Sequence, residues 1–355
     1  MRIGGSTYDW FRGSGYLGLQ RHPDVLAAAC ETTLRYGLRL RDRRAAGCHP
    51  CLLEWERAAN AFFECDGAVL LGSGYAGGAV VATALAGDVD VAFVDEQSHA
   101  NVWDGLAVAG LPAIAFRHRD PPSLAAALAE HLAPGQRPLV MSDGVFPITG
   151  AIAPADAYRD VLAAHDGAII CLDDAHGYGV LGRHGRGTLE HLGLAGAGFL
   201  SYGTMSKGLG ASGGVIPCSL QLRDRIERLS AAYRSTSKPP PGIVAAGARA
   251  LEIARTQPQL RARLAEHVAR VRTTLRSFGI AIEETPAAIV CIAQAPDLDC
   301  AAIARHLHDR ERIAVLYTEG GYSNVPVGGC LAFTLSALHE DEQIDRLLAA
   351  LRAAL

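Results

Sequence analysis

The chain has 355 residues, 49% of them hydrophobic, which is enough to bury a large core and exceeds one domain of ordinary size. Its formal net charge of -4, with Arg and acidic residues interspersed, leaves no basic footprint for nucleic acid or a membrane surface. No apolar run has the length of a membrane span, and the opening MRIGGSTYDWFRGSG lacks the apolar stretch of a signal peptide. A cytoplasmic location with reduced thiols is therefore expected for the nine scattered cysteines.

In chain order, Cys48-His49-Pro50-Cys51 resembles half a zinc site. No second CxxC or HxxxH follows at finger spacing, so no metal is expected and the pair reads as small residues at a helix start. GAVLLGS (67–73), VDVAFVDE (89–96), LPAIAFR (111–117), RPLVMSD (137–143), GAIICLDD (167–174) and GAGFLSYG (196–203) then read as buried strands. Stretches of helical period such as SLAAALAEHLA (123–133) and DAYRDVLAAH (156–165) lie between them. The alternation predicts an α/β fold with a mainly parallel sheet covered on both faces. KPPPG (238–242) is a turn before the helix IVAAGARALEIA. A smaller α+β unit follows: a helix over 260–279, strands AAIVCIAQA (287–295), IAVLYT (313–318) and CLAFTLS (330–336), the helix CAAIARHLHDR (300–310), and a closing helix over 341–355. The implied organisation is an N-terminal segment (1–25), a large domain (26–258) and a small C-terminal domain (259–355).

Ligands of such sheets sit beyond the carboxyl ends of the strands, so the polar residues there are the ones to examine: Ser73, His99, Asp143, Asp173, His176 and Lys207. Lys207, in SYGTMSKGLGASGG (201–214), is one of two lysines in an Arg-rich chain, the other being Lys238. An amine held among small residues is desolvated and becomes nucleophilic, and a Schiff base with pyridoxal phosphate is a well-known use. That cofactor needs a carboxylate at its ring nitrogen, which Asp173 in LDDAHGYGVLG (172–182) is placed to supply; His176 reaches the ring hydroxyl from the same side. GSGYAGG (72–78) precedes a helix whose N-terminal amides suit the cofactor phosphate, and His99 in SHANVWDG (98–105) can stack on a flat ring.

The order GYLGLQRHPDV (15–25), GSGYAGG, SHANVWDG, SDGVF, LDDAHGYGVLGRHGRG, YGTMSKGLGASGG, STSKPPP and LSALHE closely resembles the α-oxoamine synthases, fold-type I pyridoxal phosphate enzymes. The resemblance runs from about Tyr16 to His339. It implies that Lys207 forms the Schiff base and later moves protons at the substrate carbon. Asp173 would pair with the ring nitrogen, His176 with the ring oxygen, and His99 would stack. Ser73, Gly74, Tyr75 and Thr204 would hold the phosphate, with Ser235 or Thr236 reaching it from the neighbouring subunit of a homodimer. The implied reaction condenses an amine with an acyl thioester, carried by CoA or a carrier protein, in most members with loss of CO2.

Three departures qualify that expectation. Cys330 and Ala332 occupy the two Arg positions of the family's "RLR…S..H", whose second Arg clamps the amino acid carboxylate. Ser14 replaces the Asn of "SNDYLGL", and Pro147 the Ser of "GVFSMDG". Losing a charge-assisted partner for a carboxylate costs roughly 2–5 kcal/mol in a buried site. Either another arginine takes over, with Arg39, Arg41, Arg43 and Arg44 of LRLRDRR (38–44) as candidates, or the amine substrate is not a standard α-amino acid. The arginine run reads equally as a solvated surface or as a contact for an anionic carrier. The alternative activities on the same cofactor are an aminotransferase, a decarboxylase or a retro-aldol lyase. A non-catalytic subunit is disfavoured by the presence of Lys207.

Overall fold

The computed structural model describes residues 1–40, 48–321 and 324–355. Seven strands form the central sheet: β1 (Gly67–Leu71), β2 (Val91–Asp95), β3 (Ala113–Phe116), β4 (Pro138–Asp143), β5 (Ile169–Asp173), β6 (Phe199–Thr204) and β7 (Gly214–Cys218). Their spatial order is β1-β7-β6-β5-β4-β2-β3. Strands β2 to β6 pair in parallel, whereas β7 pairs antiparallel with both β1 and β6. The six apolar runs of the sequence are the other six strands. β7 went unpredicted because glycines open it and Pro217 interrupts it. The β7–β6 ladder involves only Gly214 and Val215, so Pro217 sits where no donor is needed on that side.

Alternate residues along each strand face opposite ways and feed two separate apolar layers. Ala92, Val94, Leu139 and Met141 pack with Val80, Val81 and Leu106 on one face. Val91, Phe93, Val140 and Leu172 pack with Leu124, Leu128 and Tyr158 on the other. The covering helices begin where the sequence caps them: Asp120 accepts from the Ser123 amide ahead of helix Pro121–His131, and Ser219 accepts from the Leu222 amide ahead of Leu220–Leu229.

In the C-terminal part, β8 (Ile289–Ala293), β9 (Leu316–Thr318) and β10 (Cys330–Thr334) form an antiparallel sheet in the order β8-β10-β9. The expected single strand IAVLYT is split. Leu316–Thr318 joins this sheet, while Ile313–Ala314 pairs in parallel with Asp9–Trp10 near the other end of the chain. The N-terminal segment is thereby tied to the C-terminal part. The Thr334 amide donates to Phe11 O at 2.9 Å, the Ala337 amide to Tyr16 O at 2.8 Å, and Ser336 Oγ to Gly15 O at 2.9 Å. His339 of the LSALHE motif serves this joint, with Nε2 3.0 Å from Trp10 O.

Helix Pro50–Phe63 starts at the Cys48–Cys51 motif, and His49 caps it by accepting from the Cys51 amide at 3.4 Å. Among the described residues no group of three or more His, Cys, Asp or Glu is arranged to hold a metal. No helix among them is long and apolar enough to cross a membrane.

Candidate active site

A cavity of about 260 Å³ opens beyond the carboxyl ends of β4, β5 and β6. It brings together eight of the residues expected at the site: Lys207, Asp173, His176, His99, Ser73, Gly74, Tyr75 and Thr204. Ser235 and Thr236 are absent from its lining; both are exposed, and Thr236 Oγ1 donates back to Ala232 O at 2.8 Å. Arg39 is exposed, and Arg41, Arg43 and Arg44 lie outside the described residues.

The reactive centre is a short chain of polar groups. Lys207 Nζ shares a hydrogen bond with His176 Nε2 at 2.7 Å, and His176 Nδ1 shares one with the Tyr16 hydroxyl at 2.6 Å. Burial lowers the Lys207 pKa below its ordinary value; Asp173 and Asp143 act in the opposite direction. Burial, followed by the charges of Lys207 and His99, holds His176 well below the usual imidazole range. A neutral imidazole beside a primary amine accepts the amine's proton bond and keeps it oriented.

Asp173 closes β5 and accepts two N–H bonds, from Asn101 Nδ2 at 2.8 Å and from the Ala175 amide at 3.0 Å. Asn101 also shares a bond with His99 Nδ1 at 2.9 Å and donates to the Tyr202 hydroxyl at 3.3 Å. It couples the imidazole to the carboxylate, yet nothing in its own position marked it beyond its place in SHANVWDG. Asp143 is the register partner of Asp173 on β4. Its Oδ1 accepts from the His99 amide at 3.2 Å, while Oδ2 is buried without a partner. Burial, then the neighbouring Asp173 charge, pushes the Asp143 carboxyl well above 3.8.

The glycines of GSGYAGG allow close approach more than flexibility. A Cβ on Gly74 would stand 2.7 Å from Thr204 Cβ, and one on Gly77 would stand 2.2 Å from the Tyr202 ring. Ser73 caps the turn by accepting from the Tyr75 amide at 3.2 Å. The Thr204 hydroxyl donates to Gly213 O at 2.9 Å and accepts from the Ser206 amide at 3.0 Å. Two of the groups expected at a phosphate are thus engaged within the chain.

These residues fit pyridoxal phosphate. A buried amine, a carboxylate held by two donors, an orphaned buried carboxyl oxygen and a glycine turn before helix Gly77–Leu85 surround one cavity. The residues of the three departures fall on or near its wall. Ser14 and Pro147 line it. Cys330 and Ala332 are buried in β10, in an apolar cluster with Ile148 and Cys291. No arginine lines this cavity among the described residues.

Comparison with known proteins agrees with this geometry. The aminotransferase class I and II family matches residues 14–351. An 8-amino-7-oxononanoate synthase of Methylococcus capsulatus is 36% identical over 97% of this chain and 88% of its own length. One from Trichlorobacter lovleyi is 34% identical over 80% and 74% respectively. A serine palmitoyltransferase of S. paucimobilis, solved with PLP and myriocin bound, superposes with a TM-score of 0.90 at 27% identity, covering 99% of this chain and 88% of that one. The chain belongs to the aminotransferase class I and II family and, within it, to the α-oxoamine synthases. It is a transferase with the fold-type I architecture.

Proposed function

We propose that this chain holds pyridoxal phosphate at Lys207 and joins an amine substrate to the acyl group of a CoA or carrier-protein thioester. The observation that carries this reading is Lys207 Nζ in one cavity with Asp173, 2.7 Å from His176 Nε2. When bound, the cofactor supplies an electron-withdrawing ring at the substrate carbon. Asp173, held by Asn101 and the Ala175 amide, would pair with the ring nitrogen. His99 would pack against the ring and His176 would orient the ring oxygen. Ser73, Gly74, Tyr75 and Thr204 would hold the phosphate, with Ser235 and Thr236 contributed by the second copy in a homodimer. Lys207 would take a proton from the substrate carbon and pass it to the departing thiolate. In the condensation the new C–C bond forms to the acyl carbon, the C–S bond breaks, and the thiol leaves with the proton.

The amine substrate is not a simple α-amino acid. A carboxylate beside the reacting carbon would meet Ser14, Pro147 and an apolar cluster, with no guanidinium in the cavity lining among the described residues. The test is a Lys207→Ala variant together with an amine panel, assayed for thiol release from an acyl thioester. The expected result is loss of the visible absorbance of the lysine-bound cofactor with the fold retained, and poor turnover of glycine, alanine and serine. Unchanged absorbance in the variant removes the Lys207 assignment. Tight binding of those three amino acids removes the substrate argument.

A further inference from the structure

A second cavity, of about 570 Å³, adjoins the first, and Ser14 and Ser206 line both. The residue next to the reactive amine is therefore part of the partition between two spaces. The second lining contributes Arg12, Arg21, Gln20, Thr334 and Gln343, and among the described residues it contains no Asp or Glu. Neither arginine is ion-paired among the described residues. The guanidinium of Arg12 lies 5.9 Å from the centroid of the Trp10 ring, a cation–π distance that steadies the side chain without neutralising it. Nearby Arg346, by contrast, is paired with Asp9 at 2.6 Å. The backbone carrying Arg12 is fixed on both sides, by the Phe11 amide on Ala314 O at 3.0 Å and by Ser336 Oγ on Gly15 O at 2.9 Å. Uncompensated guanidinium groups lining a polar cavity attract a carboxylate, and a single guanidinium can grip it in two-point fashion.

We propose that this second cavity is the subsite for a carboxylate borne by the amine substrate, with Arg12 as its principal partner and Arg21 as the flanking charge. The inference rests on the assignment of Lys207 above. Because the arginines stand across the Ser14–Ser206 partition from the reactive amine, the acid group they hold is separated from the amine-bearing carbon by at least one further carbon. The substrate class is an amino acid of the β or γ kind, in which glycine and alanine leave the second cavity empty.

The experiment titrates cofactor-loaded wild type, Arg12→Gln and Arg21→Gln with β-alanine, 4-aminobutyrate, glycine and propylamine, following the visible spectrum. In the wild type, β-alanine or 4-aminobutyrate binds at least about 10-fold more tightly than glycine or propylamine. Arg12→Gln weakens that binding by about 10- to 100-fold, the size of a lost charge-assisted hydrogen bond, and propylamine binding changes far less. Equal affinities across the panel, or an Arg12→Gln variant within about two-fold of wild type, overturn the proposal. Weakened binding of CoA with unchanged amino acid binding also overturns it and gives the cavity to the phosphates of the thioester carrier. Wild-type protein that develops no visible band with pyridoxal phosphate refutes the Lys207 assignment instead, which separates the two failures. Both arginines are exposed, so melting temperature checks that the variants remain folded, and Arg21→Gln provides a second reading of the same charge.

Discussion

Replacing Asn101 by alanine tests how the site holds its carboxylate. Asn101 is 2% exposed and its Nδ2 donates to Asp173 Oδ2 at 2.8 Å. The same side chain shares a bond with His99 Nδ1 at 2.9 Å, so one substitution loosens both the group expected under the ring nitrogen and the group expected on the ring face. A hydrogen bond to a charged acceptor contributes about 1.5–3 kcal/mol, and about 1.4 kcal/mol is a factor of ten in affinity. Asn101→Ala should therefore weaken pyridoxal phosphate binding to the stripped protein by about 10- to 100-fold. Asn101→Asp should be worse, because it sets a carboxylate against Asp173 in a buried place. The assay is equilibrium titration of stripped protein with the cofactor, followed by quenching of tryptophan fluorescence and by visible circular dichroism. A parallel thermal melt separates loss of binding from loss of fold. An alanine variant that binds within about two-fold of wild type, with normal visible dichroism, would refute the argument that Asn101 orients Asp173.

Two further outcomes follow from the same geometry. Asp143 has its carboxyl pushed above 3.8 by burial first and by the Asp173 charge second, so the folded protein keeps a proton there that the unfolded chain releases as pH rises past 3.8. That costs stability above pH 3.8 and nothing well below it, so Asp143→Asn should raise the melting temperature of the cofactor-free protein at pH 7 relative to pH 4; an equal effect at both would contradict the assignment. Gly77→Ala drives a Cβ to 2.2 Å from the Tyr202 ring and should destabilise by about 1–3 kcal/mol, seen as a lower denaturant midpoint at unchanged slope.

Much of the sheet was legible because strands buried on both faces read as unbroken apolar runs, and six of its seven were marked in that way. β7 was not, since Gly213, Gly214 and Pro217 break the pattern, and only its neighbours β1 and β6 make it a strand. Lys207, Asp173, His176 and His99 stood out because each follows a strand end, where the sheet itself delivers side chains to one rim. Asn101, Tyr16 and the orphan oxygen of Asp143 did not, because their roles exist only as contacts across distant parts of the chain. Asn101 lies 72 positions from Asp173, and Tyr16 lies 160 from His176. The split of IAVLYT has the same origin. Nothing local tells Ile313 and Ala314 to leave their strand for Asp9 and Trp10. Arg12 and Arg21 carry no such signal, because charge clustering, as in the run at 38–44, is visible in a sequence and facing a shared space is not.

The seam between Asp9–Trp10 and Ile313–Ala314 has a temporal meaning. Contacts so far apart along the chain form late, after the loop between them has been closed. The large sheet can assemble before Ser14 and Tyr16 have their C-terminal partners, and the rim of the cavity is complete only once that pairing has formed. Binding competence at this rim therefore depends on a junction between two segments far apart along the chain, and a perturbation at either one reaches the cavity through the other.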